Sequence, residues 1–342
     1  RGMSDTPVII VIKDDKVAIE PAGDLWGKDT FHTDEQMKER FGPSCETSCI
    51  GAAGERLVPI SCIGHDGANA RMSGRCGFGA VMGSKKLKAV AVIGNREPEI
   101  ADPERLMAQQ KKMVPIIVEK TKGIHLLGTA GGTAAAEKMG DLPVQNWRRG
   151  NWPDAEKITG QVMADTILKK NYYCASCPIG CGRDVEIADG RWAGVRGAGP
   201  EYETLGIMGG SCLVNDMEAI TYAADLCNRH GVDTIEAGSA VAMTMECFEH
   251  GLLTAEDLDG ISAEWGSAEA LVALTGKICM GEGAGKLLGL GVAGMTKMIP
   301  GSDKFAIHVK GLTLPAHDPR CFSTMALGYA TSNRGACHLT GA

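Results

Sequence analysis

"LKAVAVIGNREPEIADPERLMAQQKKM", residues 87 to 113, contains the change of pattern that sorts this chain into a fold class. Its opening run, "LKAVAVIG", is small and β-branched and closes on a glycine, the signature of a buried strand. From "EPEIADPERLMAQQKKM" onward the apolar residues fall at helical spacing instead. Upstream, "PVIIVIKDDKVAIE" at 7 to 20 reads as two strands joined by Asp14 and Asp15, a hairpin. "DTFHTDEQMKERFG" follows as a short helix capped by Asp29 or Thr30 and stopped by Gly42, and "RLVPISCIG" as a further β-rich run. Downstream, Asn215 with Glu218 and Asp233 with Glu236 form capping boxes for helices that end at Gly231 and Gly251. "SAEALVALTGKICM" and "GKLLGLGVAGMTKMI" continue the helical pattern before a β-like return, "FAIHVKGLTLPAHDPR". The predicted class is α+β: a β-rich segment over 1–97, a mostly α-helical one over 98–307, and the start of a third over 308–342.

Composition narrows the partners. Of 342 residues 44% are apolar and 23% charged, enough for two or three domains with cores of their own. No apolar run approaches the roughly 20 residues that span a bilayer. The net charge of −7 argues against nucleic acid or an anionic membrane as the main partner, since both reward clustered Lys and Arg. Thirteen cysteines without a secretory leader read as reduced thiols of a cytoplasmic protein rather than a disulfide scaffold. With 46 glycines and only 5% aromatic residues, close backbone approaches are frequent, which suits a large buried cofactor. The ends, "RGMSDTPVII" and "CHLTGA", read as those of a fragment.

Four stretches could carry chemistry. "NYYCASCPIGCGRD", 171 to 184, sets Cys174, Cys177 and Cys181 in one short segment. Structural zinc usually takes two Cys-x₂-Cys pairs or a Cys/His set, and no second pair stands in the chain. A thioredoxin-type pair heads a helix in a βαβ unit, which this region lacks. The spacing favours three corners of an iron–sulfur cluster whose fourth ligand lies elsewhere, with zinc or plain core or surface cysteines left open. "RMSGRCGFGAVMGSKKLKA", 71 to 89, combines bare amides with Arg71, Arg75, Lys85 and Lys86 and suits phosphate, although a solvated turn-rich loop would look the same. "GAGPEYETLGIMGGSC" places Glu201 and Glu203 among small apolar residues, costly for a carboxylate unless it is used, paired or on a surface turn. The segment 314–339 gathers His317, Asp318, Arg320, Tyr329, Arg334 and His338, a density that suggests proton chemistry or cofactor contacts where a lone histidine would be ordinary core. "GEGAGKLL" at 281 to 288 imitates a Walker loop but has Leu287 where Ser or Thr must bind magnesium.

"GRCGFGAVMGSKKLKAV", "CASCPIGCGR", "GPEYETLG", "LCNRHGVDTIEAG" and "LPAHDPR…YATSNRGACHL", in that order, resemble the aldehyde ferredoxin oxidoreductases, tungsten enzymes that oxidise aldehydes to carboxylic acids. The resemblance runs from about residue 50 to the end, and the family protein is longer. It implies a β-rich base domain, present here in part, that carries two pyranopterin dithiolenes holding tungsten (or molybdenum), with helical domains covering them. It also implies a [4Fe–4S] cluster on Cys174, Cys177 and Cys181, the fourth cysteine lying beyond residue 342. Arg71, Met72 and Arg75 match the loop that contacts the pterin phosphates and their bridging Mg²⁺. The family's Asp-x-x-Gly-x-Asp pterin pattern falls on Asn228, Gly231 and Asp233, with Asn228 bringing no charge, and Cys76 stands where relatives commonly carry glycine. Glu203 and His338 match the groups beside tungsten, Glu203 as base or orienter and His338 as donor to the carbonyl, and His317 matches a His or Tyr position. A subunit-bridging Glu-x-x-His site is not expected, since the helix reads "TYAADLCN", while a homodimer stays open. The implied partners are a small aldehyde and ferredoxin or an iron–sulfur electron-transfer subunit. The alternatives are another reaction of the same core, such as reduction of an activated aromatic acid, or a non-catalytic iron–sulfur subunit.

Overall fold

The structure, a computed structural model, describes residues 2–340. The N-terminal region is a six-stranded sheet built from β1 (Val8–Lys13), β2 (Lys16–Pro21), β3 (Glu46–Cys49), β4 (Ile63–His65), β5 (Arg71–Ser73) and β6 (Leu87–Ile93), in the order β2-β1-β6-β3-β4-β5. The β1–β2 hairpin turns on Asp14, whose φ of 52° is the left-handed conformation such a turn requires. β1 runs parallel to β6 and every other pairing is antiparallel. One face of the sheet packs Ile9, Val11, Ala89 and Ala91 with Met37 of helix α1 (Thr30–Phe41). Asp29 caps α1 by accepting from His32 N at 2.7 Å, and Gly42 ends it at φ 98°.

A register shift between Val8 and Ile9 leaves Lys88 of β6 unopposed. Its fully buried ammonium donates to Lys28 O (2.6 Å), Ile50 O (2.7 Å) and Glu55 (2.5 Å), which satisfies a charge that would otherwise be prohibitive to bury. "RLVPISCIG" is only partly the β run that its composition suggests. Pro59 cannot donate to a ladder, residues 56–60 are irregular turns, Ser61 makes only an isolated bridge to Val232, and the strand starts at Ile63. The glycine density instead serves a close contact between α2 (Ala52–Glu55) and α3 (Phe78–Ser84): a Cβ on Gly83 would lie 1.9 Å from Gly54 O.

The helical region opens with α4 (Pro103–Lys120), capped by Asp102 with Pro103 at its first turn, followed by α5 (Lys122–Leu127), α6 (Thr133–Met139) and α7 (Gly160–Thr166). A three-stranded antiparallel sheet then interrupts it: β7 (Leu168–Tyr172), β8 (Gly182–Ile187) and β9 (Val195–Ala198). β7, "LKKNY", shows no apolar alternation, because its cations face solvent and pair with Glu186 and Asp184 on β8. The cysteine motif is the loop between β7 and β8.

Beyond β9 come α8 (Tyr202–Thr204), a π-helical segment over Leu205–Ser211, α9 (Met217–His230), α10 (Thr234–Glu249) and α11 (Ala268–Met280). The cap of α9 is Asp216, accepting from Ala219 N at 3.0 Å, while the anticipated Asn215 bonds Asp154 instead. Asp233 does cap α10, but Glu236 turns away from the box and accepts from Thr313. α10 is the centre of the larger core, buried at every residue from Ile235 to Cys247. "GKLLGLGVAGMTKMI" forms two single turns, α12 (Gly285–Leu288) and α13 (Val292–Met295), before the β10–β11 hairpin (His308–Val309, Leu312–Thr313) and α14 (Ser323–Thr331). The end of α9 joins the two regions: Cys62 N donates to Gly231 O (2.8 Å), Asp233 N to Ile60 O (3.1 Å) and Thr30 Oγ1 to Asn228 O (2.8 Å). Among the described residues no helix is long and apolar enough to cross a membrane.

Candidate active site

Joining the sheet to the α9–α10 corner leaves a cavity of about 930 Å³ between them, lined by Arg71, Met72, Gly74, Arg75, Cys181, Asn228 and Asp233 among others. A second, of about 830 Å³, opens between α5–α6 and the segment around residue 317, and is walled by Ile124, Leu127, Ala135, Ala136, Met139 and Phe322. The first is rich in charged and amide groups, the second mostly hydrocarbon. Glu201, Glu203 and His338 line both.

Glu203 reaches this junction because β9 ends at "GP" and the chain enters α8 there. The π turn that follows passes Ala316 closely, since a Cβ on Gly206 would lie 2.5 Å from Ala316 Cβ. One carboxylate oxygen, Oε2, accepts from Ala316 N at 2.7 Å. The other, Oε1, is buried without a hydrogen bond, 3.6 Å from His317 Nε2 and 3.7 Å from His338 Nε2. Burial pushes the Glu203 pKa above its ordinary 4.5. His338 is driven the other way, to about 4, by burial and by the Arg75, His317 and Arg334 cations, so it is neutral at pH 7 with Nδ1 unpartnered. His317 is pulled down by burial, but its hydrogen bond to Asp141 and the Glu203 charge outweigh that and raise it.

The other sequence-derived candidates divide. Arg71 lies over the Tyr172 ring at 5.3 Å, donates to the Tyr172 hydroxyl and pairs with Glu201 at 3.3 Å, on the wall of the polar cavity. Met72 lies beside it on β5. Arg75 is buried, donating to Ala336 O (3.0 Å) and Thr313 O (2.7 Å) and facing Glu236 and Asp233 at 3.5 Å each. Most of its donors are thus occupied by protein, and Nε alone has no hydrogen bond. Asp233 is pushed up to about 6 by burial, against the Arg75 charge, and its Oδ2 faces Arg75 Nε at 3.5 Å without a hydrogen bond. Asn228 sits in the last turn of α9 and Gly231 ends that helix at φ 70°. Cys174 is exposed and Cys177 and Cys181 half-buried, with Cys181 on the polar cavity and its thiol pushed up by burial and by Glu201 and Cys174. Among the described residues no three His, Cys, Asp or Glu side chains converge on a single ion position.

Three residues at this junction carry no signal in the sequence. Thr129 donates to Glu201 Oε2 at 2.6 Å and accepts from Tyr202 N at 2.9 Å. Tyr172 anchors Arg71, and Asp141 accepts from His317 at 2.8 Å. Each lies in a short segment whose composition is ordinary, and each owes its role to a contact across many tens of residues. Glu203 Oε1 and His338 Nδ1, both without a hydrogen-bond partner, fit a polar cofactor in the larger cavity, since buried polar atoms otherwise find partners within the protein.

A family model described as "Aldehyde ferredoxin oxidoreductase, N-terminal domain" matches residues 1–94, and one described as "Aldehyde ferredoxin oxidoreductase, domains 2 & 3" matches residues 106–342. The chain is 38% identical to a tungsten-containing aldehyde ferredoxin oxidoreductase of Thermococcus kodakarensis and 37% to that of Pyrococcus furiosus, over 99% of its own length and 56% of theirs. It is 31% identical to the WOR-like subunit of an aliphatic sulfonate oxidoreductase of Pyrococcus furiosus, again over 99% of its length. It spans only a little over half the length of these relatives. Its fold superposes with a TM-score of 0.81, at 24% identity, on a chain of the active-site complex BamBC of benzoyl coenzyme A reductase, covering 98% of this chain and 52% of that one.

Proposed function

The chain belongs to the aldehyde ferredoxin oxidoreductase family, and on that premise we propose that its site oxidises an aldehyde to a carboxylic acid and passes the electrons through a [4Fe–4S] cluster to ferredoxin. One observation carries the reading. A buried carboxylate with an unpartnered oxygen and a neutral imidazole with an unpartnered nitrogen face each other where a polar cavity meets an apolar one.

The polar cavity would take the tungsten or molybdenum pyranopterin, with Asn228 and Asp233 toward the pterin and Arg71, Met72 and the Gly74–Arg75 backbone toward its phosphates and Mg²⁺. When bound, that group supplies a two-electron acceptor. Aldehyde and water give carboxylate, three protons and two electrons, so the protein must place the carbonyl and remove protons. The apolar cavity holds the hydrocarbon or aromatic body of the aldehyde. Neutral His338 donates an N–H to the carbonyl oxygen, polarising it without adding a net charge. Glu203 takes a proton from water or the aldehyde hydrate, and its raised pKa makes its carboxylate a stronger base than an exposed one. Cys174, Cys177 and Cys181 would hold three corners of the cluster, which would supply the one-electron exit.

The test is aldehyde-dependent reduction of benzyl viologen by the full-length protein, purified without oxygen. Glu203→Gln and His338→Asn should each lower kcat/KM by about 100-fold or more. Turnover that survived both substitutions would refute the assignment.

A further inference from the structure

We propose that Asp141, a residue in the turn after α6, is a positioning residue that holds His317 as an imidazolium with its Nε2–H turned toward Glu203. The inference rests on reading Glu203, His317 and His338 as the reaction centre. It adds a division of labour between the two histidines.

Geometry carries it. Asp141 is buried, and its Oδ2 lies 2.8 Å from His317 Nδ1. Its other oxygen accepts from Asp318 N at 3.0 Å, and among the described residues no Lys or Arg pairs with it. A buried carboxylate without a cation is strongly disfavoured, so the imidazolium is its natural counter-ion. The backbone around His317 is held as well. Ala316 N donates to Glu203, the Tyr329 hydroxyl donates to His317 O at 3.1 Å, and Asp318 N also donates to Asp141 O at 2.9 Å. The ring packs on Tyr202 at 5.0 Å and meets the edge of Phe322 at 6.2 Å. With the ring fixed and Nδ1 committed to Asp141, Nε2 has one direction to point, at Glu203 Oε1 3.6 Å away and into the apolar cavity.

The titratable groups facing His317 are Asp141 beyond α6, Glu203 and Tyr202 on α8, Tyr329 on α14 and His338. Two of them are carboxylates, whereas His338 has Arg75 and Arg334 near it. The raised His317 pKa and the depressed His338 pKa follow from that asymmetry. The junction then sets the His317 donor, held by Asp141, and the neutral His338 donor about the Glu203 carboxylate. The charged donor suits the anionic oxygen that develops on the substrate and persists in the carboxylate product.

The experiment measures the charge on His317 without turnover. Diethyl pyrocarbonate acylates neutral imidazole, and peptide mass spectrometry of the full-length, cofactor-loaded protein reads His317 acylation against pH. The wild-type midpoint should lie above the ordinary 6.5. Asp141→Asn, which keeps an acceptor but removes the charge, should lower it by about one unit, which makes acylation roughly tenfold faster at pH values well below both midpoints. Asp318→Asn disturbs the same turn without touching Nδ1 and should leave the midpoint nearly where it was. A wild-type midpoint at or below 6.5, or one unmoved by Asp141→Asn, overturns the proposal. Because acylation needs no aldehyde, failure of the oxidation assay would not be confused with failure of this one.

Discussion

His338 is kept neutral by a site that also contains the means to charge it, and this has a consequence for stability. Its folded pKa is depressed to about 4, whereas in the unfolded chain it returns to about 6.5. Between those values the unfolded state binds more protons than the folded one, so stability is lost as pH falls through that window. Wild-type protein should therefore lose about 1–2 kcal/mol from this group between pH 7 and pH 5, and His338→Asn should lose correspondingly less, read from urea midpoints at the two pH values. His317 acts in the opposite sense, its contribution being present below 6.5 and lost as pH rises through its raised folded pKa. Glu203 and His338 were legible in the sequence because each sits in a dense block of unusual composition. Asp141 was not. A single Asp in "MGDLPVQ" is what a turn ordinarily contains, and its partner is 176 positions away.

At the scale of elements, the glycine-dense stretch 74–83 has two uses that composition alone could not separate. Gly74 borders the polar cavity, while Gly79 and Gly83 let α3 lie against the 54–62 backbone. The sharper case is Gly83. Its added Cβ would sit 1.9 Å from Gly54 O, a backbone atom that cannot swing aside, so α2 and α3 must separate. Gly83→Ala should cost about 3 kcal/mol, at the upper end of ordinary overpacking. Gly94→Ala, with nothing within 4 Å of the new methyl, should be close to neutral, and urea denaturation of the pair separates a steric effect from loss of a flexible residue. Elements with strong local patterns, such as the β1–β2 hairpin, α1 and α10, were visible in advance. The β7–β8–β9 sheet was hidden because the charges of β7 are balanced across the strands and its residues bury little.

For the molecule as a whole, the order of the chain hides the order of the space. β1 pairs with β6 across more than 70 positions, and the polar cavity takes its walls from the sheet, from β9 and from the α9–α10 corner. No local pattern specifies such closure, which depends on the summed burial of both cores. It does fix where the cysteine loop lies: Cys181 borders the cavity proposed for the pterin, with Arg71, held by Tyr172, on the same wall, so electrons released there would have a short exit. That placement is what the proposed cluster needs in order to serve the reaction, and it can be tested against cysteines that merely stabilise a loop. In the full-length protein purified without oxygen, Cys181→Ser should lower iron and acid-labile sulfide to a small fraction of wild type, since losing one thiolate opens a corner of the cluster. Tungsten or molybdenum should remain bound, because its proposed anchors lie elsewhere on the wall. The [4Fe–4S] signal in electron paramagnetic resonance should vanish together with ferredoxin reduction. Zinc in place of iron, or iron unchanged in Cys181→Ser, would remove the cluster from this loop and with it the electron path.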